Sequence, residues 1–339
     1  MTSLQTPLCD ALGIEHPVVQ APVGSVSTPE LAAAVADAGG LGTLAMSWRD
    51  ADAIRDAYEA AAAATDGAVG VNVVLDDVTG ELPPSACLDA CLDAGASVVS
   101  LSFGDAEPYV ERVHEAGGTA MVTVGSAAEA EAAADAGADA VVAQGREAGG
   151  HVQSEVTTMA LLPRVVDAVD VPVVAAGGLG DGRGLAAALT LGADGGWLGT
   201  RFVATAESGA HEDYRDRLVA ADETATRYTK LFSRGWPDQP HRVVETEAVA
   251  ETVDESEAAR PVADSDAPAT AARTPDGDPV ERFADLPPLE GMGGDLDALP
   301  HYAGQSVGLA DDVPAAGTVV ERLVAEAAAA LSDAADLTR

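Results

Sequence analysis

Three helix endings spaced roughly 20 residues apart restrict this chain more than any other feature. They are Asp93-Ala94-Gly95, Glu115-Ala116-Gly117 and Asp135-Ala136-Gly137, and each closes a helical stretch and opens an apolar one. Glycine just past the last turn suits the left-handed conformation that ends a helix, so the recurrence marks a repeated βα unit. Strands are expected at His16–Pro22, Leu41–Met46, Ala68–Leu75, Ser97–Phe103, Thr119–Val124, Ala140–Gln144, Pro172–Ala176 and Gly195–Phe202. Helices are expected between them, the first opened by Thr28 with Pro29 at its first turn. Eight units with short connections predict an α/β chain closed as a (β/α)8 TIM barrel over residues 1–210. An open doubly wound sheet is the rival, but nothing marks the topological switch that it would need.

After Phe202 the pattern changes. Residues 211–301 read as a small second domain or lid over the barrel mouth, and Arg227–Val244 is its least acidic stretch. Within it, residues 245–288 are rich in Glu, Asp, Ala and Pro with little periodicity and read as an acidic, low-complexity flexible insert. Residues 302–339 return to the barrel and end on the amphipathic helix Val319–Leu331.

The chemistry is expected around Gln144-Gly145-Arg146-Glu147-Ala148-Gly149-Gly150-His151, where a strand runs into paired glycines and an imidazole. Glycines there let a ligand approach the backbone closely. Asn72 is an amide in an apolar strand and must find a partner, in the core or on a ligand. Gly177 and Gly178, followed by Asp181-Gly182-Arg183-Gly184, form a strand, a turn and a helix start whose amides and dipole suit a phosphate. Leu198-Gly199-Thr200 adds a second such turn. Barrel chemistry sits at the carboxyl ends of strands, and Ala21, Pro22, Asn72, Gln144, His151, Gly177, Gly178, Gly199 and Thr200 all fall there. Cys9, Cys87 and Cys91 have neither disulfide nor zinc spacing and read as core residues, and no metal site is expected.

Gln20-Ala21-Pro22, Ser27-Thr28-Pro29-Glu30-Leu31, Gly70-Val71-Asn72, the Gly-Gly-His stretch, Ala175-Ala176-Gly177-Gly178 and Leu198-Gly199-Thr200-Arg201-Phe202 together resemble the nitronate monooxygenase family, formerly 2-nitropropane dioxygenases. The likeness covers nearly the whole barrel and resumes at Tyr302-Ala303-Gly304-Gln305-Ser306. It implies FMN, held by Ala21, Pro22, Val23, Asn72, Gln144, Gly149, Gly150, Gly177, Gly178, Leu198, Gly199, Thr200, Tyr302, Gln305 and Ser306. It also implies His151 as the active-site histidine, and oxidation of alkyl nitronates by O2 to carbonyl compounds and nitrite. The barrel and the Gly-Gly-His stretch equally resemble flavin-dependent enoyl-acyl-carrier-protein reductases and NAD(P)H:quinone reductases, which makes NAD(P)H the alternative electron donor. A flavin carrier without turnover is a third class. Val23 stands where the family commonly has methionine, Trp197 is bulky beside the phosphate turn, and the acidic insert has no clear counterpart.

Charge narrows the partners. Lys plus Arg total 18 against 56 Asp plus Glu, a formal charge of -38, and Lys230 is the only lysine. Such a field repels nucleic acid and anionic membranes, while leaving an oligomer open. The acid is spread along the chain, as on proteins from a salt-loaded cytosol. With no apolar run of the roughly 18 to 20 residues that a span needs, the reading is a cytoplasmic, halophilic protein. Unscreened self-repulsion predicts loss of structure at low ionic strength. Circular dichroism during dialysis from molar salt into salt-free buffer checks this: the helical signal is expected to collapse.

Overall fold

Residue parity builds the barrel. The computed structural model describes residues 4–77, 80–252 and 269–337. Its first strands are β1 (Val18–Gln20), β2 (Gly42–Ala45), β3 (Val69–Val74), β4 (Val98–Ser102), β5 (Thr119–Val124) and β6 (Ala140–Gln144). A two-residue strand, β7 (Gly150–His151), lies outside the ring, and β8 (Val173–Ala176) and β9 (Gly195–Leu198) complete it. The eight barrel strands are parallel, in the order β1-β9-β8-β6-β5-β4-β3-β2. A Val19–Leu41 bridge joins the two ends. The closed barrel expected from the glycine repeat is the fold, and Gly95, Gly117 and Gly137 take the left-handed φ values 97°, 78° and 93° that helix endings require.

Both faces of these strands are buried, so they read as continuous apolar runs. One parity, including Val71, Val99, Val122, Val141 and Val173, packs under the surrounding helices. The other, including Val19, Leu41, Val98, Met121, Val142, Val174 and Trp197, fills the interior. The short helix α1 (Pro7–Leu12) plugs the amino end of the barrel with Leu8, Cys9 and Leu12. Gly195 makes room for it, since a Cβ there would lie 2.4 Å from Leu8 Cδ2. Toward the carboxyl ends the same parity turns small and polar, through Thr43, Asn72, Ser100, Ser102, Thr123 and Gln144. The open end is therefore the wettable one.

The outer helices are α2 (Pro29–Asp37), α3 (Ala51–Ala64), α4 (Pro84–Asp93), α5 (Glu107–Glu115), α6 (Ala127–Asp135), α7 (Thr158–Val166) and α8 (Gly182–Thr190). Cys87 and Cys91 are buried on α4. The eighth helix is displaced along the chain. After β9 come the short α9 (Thr200–Val203), α10 (Glu212–Ala220) and the lid, and only then α12 (Ala316–Asp336), which packs against α8 and α2.

The inserted segment, expected as a lid, is built on β10 (Thr226–Thr229) and β11 (His241–Val244), which pair antiparallel, and β11 also pairs with β7. Gly150 and His151, expected in a loop, are thus part of a sheet, because β11 supplies partners for their backbone. The segment 245–288, expected to be a flexible insert, departs from that reading where it is described. It holds α11 (Glu247–Thr252), β12 (Thr270–Arg273) and β13 (Pro279–Glu281), and β12 also pairs with β14 (Gly293–Gly294). Residues 253–268 lie outside the described ones. Local apolar contacts among Ala272, Val280, Met292, Leu296 and Leu299 hold this second sheet, a core too small to show as periodicity. Among the described residues, no helix is long and apolar enough to cross a membrane.

Leu8→Ala should unplug the barrel floor and cost ~2–5 kcal/mol, the range for a fully buried leucine. Denaturant titration in constant salt is expected to show a lower midpoint with an unchanged slope.

Candidate active site

The carboxyl ends of the strands open into one cavity of about 290 Å3. Ala21, Pro22 and Val23 line it after β1, Asn72 from β3 and Gln144 from β6. Gly149, Gly150 and His151 reach it around β7, Gly177 and Gly178 after β8, and Leu198, Gly199 and Thr200 at the end of β9. Tyr302 and Ser306 come from the returning chain. Gln305 does not line it: its side chain is exposed, and its backbone N–H donates to the Glu147 carbonyl at 2.9 Å. Trp197 sits on the cavity wall as part of the barrel interior, filling space that Ala21 and Ala176 leave.

Several of these side chains shape the backbone of the site. The Gln144 amide donates to the His151 carbonyl at 3.1 Å, and its oxygen accepts the Gln153 N–H at 2.8 Å, clamping the chain on both sides of Val152. Asn72 donates from Nδ2 to the hydroxyls of Ser100 and Ser102, at 3.3 Å each, so the amide is both a core partner and a cavity wall. Gly149 lies where the returning chain crosses, and a Cβ on it would sit 2.5 Å from the Gly304 nitrogen.

Gly177 and Gly178 take φ values of 90° and 78°, a conformation closed to most side chains. Against the expectation that the following helix start serves a phosphate, its first amides are already taken. Gly182 N donates to Glu326 Oε2 at 2.9 Å, while Arg183 N and Gly184 N donate to Asp181 Oδ1 at 3.0 and 3.1 Å. The Asp181 carboxylate thus caps its own helix. What the cavity retains for an anion is the pair of small-residue turns, Gly177–Leu179 and Leu198–Thr200, side by side on paired strands.

His151 stands among aromatic rings. Its centroid is 4.2 Å from Trp236 and 5.6 Å from Tyr302, and Phe103 meets Trp236 edge-on at 4.8 Å and 79°. Burial pushes the His151 imidazole down to about 3, so it is neutral at neutral pH, and its Nε2 is buried without a hydrogen-bond partner. Asp285 Oδ1 lies 3.8 Å from that nitrogen, too far for a hydrogen bond, and with a neutral imidazole the contact is no ion pair. Burial raises the Asp285 carboxyl to about 6, although the Tyr302 hydroxyl, which donates to Oδ1, works the other way. His241 faces His151 across the strand pair. Its Nε2 accepts the Phe232 N–H at 3.2 Å, so the proton belongs on Nδ1, 3.1 Å from the Gln239 carbonyl.

Sequence reasoning missed Trp48, Phe103, Trp236 and Asp285, all of which line the cavity. Phe103 carries a left-handed φ of 59°, rare for an aromatic residue, held by the Gln153 side chain accepting its N–H at 3.1 Å. Trp236 follows Phe232 by four residues, and its indole donates to Asp76 Oδ2 at 2.9 Å, tying lid to barrel.

A family model described as nitronate monooxygenase matches residues 5–83 and 78–326. A Rhodococcus jostii (strain RHA1) protein named (3aS,4S,5R,7aS)-5-hydroxy-7a-methyl-1-oxo-octahydro-1H-indene-4-carboxyl-CoA dehydrogenase is 39% identical over 249 residues, 74% of this chain and 68% of that protein. A probable nitronate monooxygenase from Staphylococcus aureus (strain MSSA476) is 33% identical over 267 residues, covering 67% of this chain and 75% of its own. Among solved structures, FabK from Thermotoga maritima superposes with a TM-score of 0.82 at 32% identity, covering 98% of this chain and 99% of that one. Nitroalkane oxidase from Streptomyces ansochromogenes gives 0.77 at 34% identity, covering 97% and 99%.

Burial holds the imidazoles of His151, His241 and His301 near 3, 3 and 4, below their ordinary value. With a native pKa below its ordinary value, such an imidazole is protonated in the unfolded chain first, so stability is present above about pH 6.5 and is lost as pH falls. Each imidazole should cost ~2 kcal/mol by pH 5, while Asp285, raised in the fold, returns ~1 kcal/mol over the same interval. Unfolding free energies from denaturant titration at constant salt should fall between pH 7 and 5 by a net of a few kcal/mol.

Proposed function

The chain belongs to the nitronate monooxygenase family and is an oxidoreductase, and from that premise we propose that it binds FMN across the barrel mouth and oxidises alkyl nitronates, or their parent nitroalkanes, with O2 to carbonyl compounds and nitrite. The observation that carries the reading is His151: a buried, neutral imidazole whose Nε2 has no partner, on the wall of a cavity floored by strand ends.

The residues present fit a flavin mononucleotide. The turns Gly177–Leu179 and Leu198–Thr200 present small residues where a phosphate needs close backbone approach, and a side chain at Gly177 would strike Ala148 N at 2.8 Å. Ala21, Pro22, Val23, Asn72 and Gln144 would hold the ring system opposite His151. When bound, the flavin supplies the electron transfer that no side chain here can perform.

The chain's own residues do the rest. The His151 imidazole, uncharged and unpartnered, is suited to hydrogen-bond a nitro oxygen or to take the α-proton of a nitroalkane, burial making it a weaker base than a free imidazole. Gln144 holds its backbone, and the strand pair with His241 fixes its direction. Trp48, Phe103 and Trp236 keep the mouth apolar and limit the water around the reacting carbon.

A second reading is favoured by one observation, the 39% identity to a relative named a dehydrogenase, above the 33% to a probable nitronate monooxygenase. In it, a nicotinamide nucleotide or a carboxyl-CoA compound exchanges reducing equivalents at the same cavity. Mixing the yellow protein anaerobically, in salt, with propionate 3-nitronate, NADH and NADPH separates the two: bleaching by the nitronate alone is expected, and bleaching by a nicotinamide alone refutes the first reading. His151→Asn should keep bound flavin but lose roughly 100-fold or more in turnover, the range of general acid–base catalysis. Nitrite release and the flavin absorbance ratio measure the two effects.

A further inference from the structure

The barrel mouth has two unlike halves. Across β6, β8 and β9, which are neighbours in the sheet, it is edged by Gln144 and by the glycine turns Gly177–Leu179 and Leu198–Thr200. Across β2, β3 and β4, also neighbours, it is edged by Trp48, Val74 and Phe103, which stand at or just beyond the ends of those strands. Asn72 and Ser102, polar side chains of the same half, are hydrogen-bonded to each other at 3.3 Å.

The rings of this half form a strip that leads to the imidazole. Trp236 lies 4.2 Å from His151 at 37°, Phe103 meets Trp236 edge-on at 4.8 Å, and Trp48 stands 6.1 Å from Trp236 at 57°. Trp236 is 1% exposed and its indole N–H is bound to Asp76, so it offers the cavity its ring and no donor. Trp48 joins the strip through Trp236 and is 37% exposed, a large apolar side chain left bare on a cavity rim. Covering such a surface with another apolar group is favourable.

Resting on the reading of the cavity as a flavin site for nitronates, we propose that Trp48 is a specificity-determining residue, and that the preferred substrates are nitronates whose substituent is apolar, a chain of several carbons or an aromatic ring, lying along the strip from His151 to Trp48. The anionic head stays at the imidazole, which is neutral and can hydrogen-bond one of its oxygens. The substituent covers Trp236 and Trp48 and releases the water against them. A short substituent leaves Trp48 bare and gains nothing from it. Since the strip lies away from the reacting carbon, it binds ground state and transition state alike, so in turnover a longer chain should lower KM and leave kcat nearly unchanged.

Carboxylates copy the planar, two-oxygen anionic head of a nitronate and do not react. Calorimetric titration of the flavin-loaded full chain with propionate, hexanoate and phenylacetate, at one pH and one salt concentration, reads the substituent alone, because the head is common to all three. Each methylene buried on the strip is worth about fourfold in affinity, so hexanoate and phenylacetate should each bind at least about tenfold more tightly than propionate. In Trp48→Ala both ratios should fall at least about threefold, with Trp48→Phe between that variant and the wild type. Wild-type ratios below tenfold overturn the proposal, as do wild-type ratios retained in Trp48→Ala. Propionate binding by each variant shows that its cavity is intact, and Trp48→Phe carries the comparison where Trp48→Ala does not fold. Absence of nitrite from every nitronate would instead overturn the functional reading, leaving the measured carboxylate series in place.

Discussion

The pairing of Gly150–His151 with Arg242–His241 is the seam on which the site depends. On its barrel side, Gln144 clamps the same stretch from the end of β6, and on its lid side β10 and Tyr302 extend the sheet. The seam can form only because the chain comes together without side chains at its crossing. A Cβ on Gly304 would lie 2.8 Å from the Glu147 carbonyl oxygen, and Gly149 is crowded by the Gly304 backbone in return. Orientation of the imidazole is thus a backbone property, set by strand register.

Charge is divided sharply between outside and inside. The chain carries a formal -38, yet the cavity wall offers one carboxyl and otherwise neutral groups. The guanidiniums near the site are occupied with protein: Arg242 donates to the Arg146 carbonyl at 3.0 Å, and the Tyr228 ring lies 4.6 Å from Arg146 and 5.5 Å from Arg242. A surface field is screened over about 10 Å in 0.1 M salt and about 3 Å in 1 M, whereas a buried carboxylate is screened far less. The chemistry of the cavity is therefore set locally, by Asp285, Tyr302 and His151, and is insulated from the acid that dominates the composition.

Much of the barrel was legible because its signals are local. A glycine after each helix and an apolar run after each glycine are read along the chain, and the strand ends then identify the residues that meet at the mouth. The glycines at 149, 177 and 178 were legible for the same reason, since each answers to a backbone need. Asp285 was not, because nothing distinguishes it in sequence from the other 55 of the 56 acidic residues, and its burial arises from β7, β11 and the returning chain closing around it. Trp236 and Phe103 were missed because they meet His151 through tertiary contact, and a strained φ such as that of Phe103 leaves no periodic trace. The helix start after Gly178 was misjudged for a related reason: Asp181 read as part of a ligand site, and its carboxylate caps the helix.

The lid is inserted between β9 and the helix that completes the last βα unit, so both of its ends are pinned to the barrel wall. Withdrawal of β11 from the mouth would part its backbone pairing at residue 151, so the doorway and the His151 imidazole share one seam. Widening the entrance and disarming the imidazole are, in this architecture, a single movement.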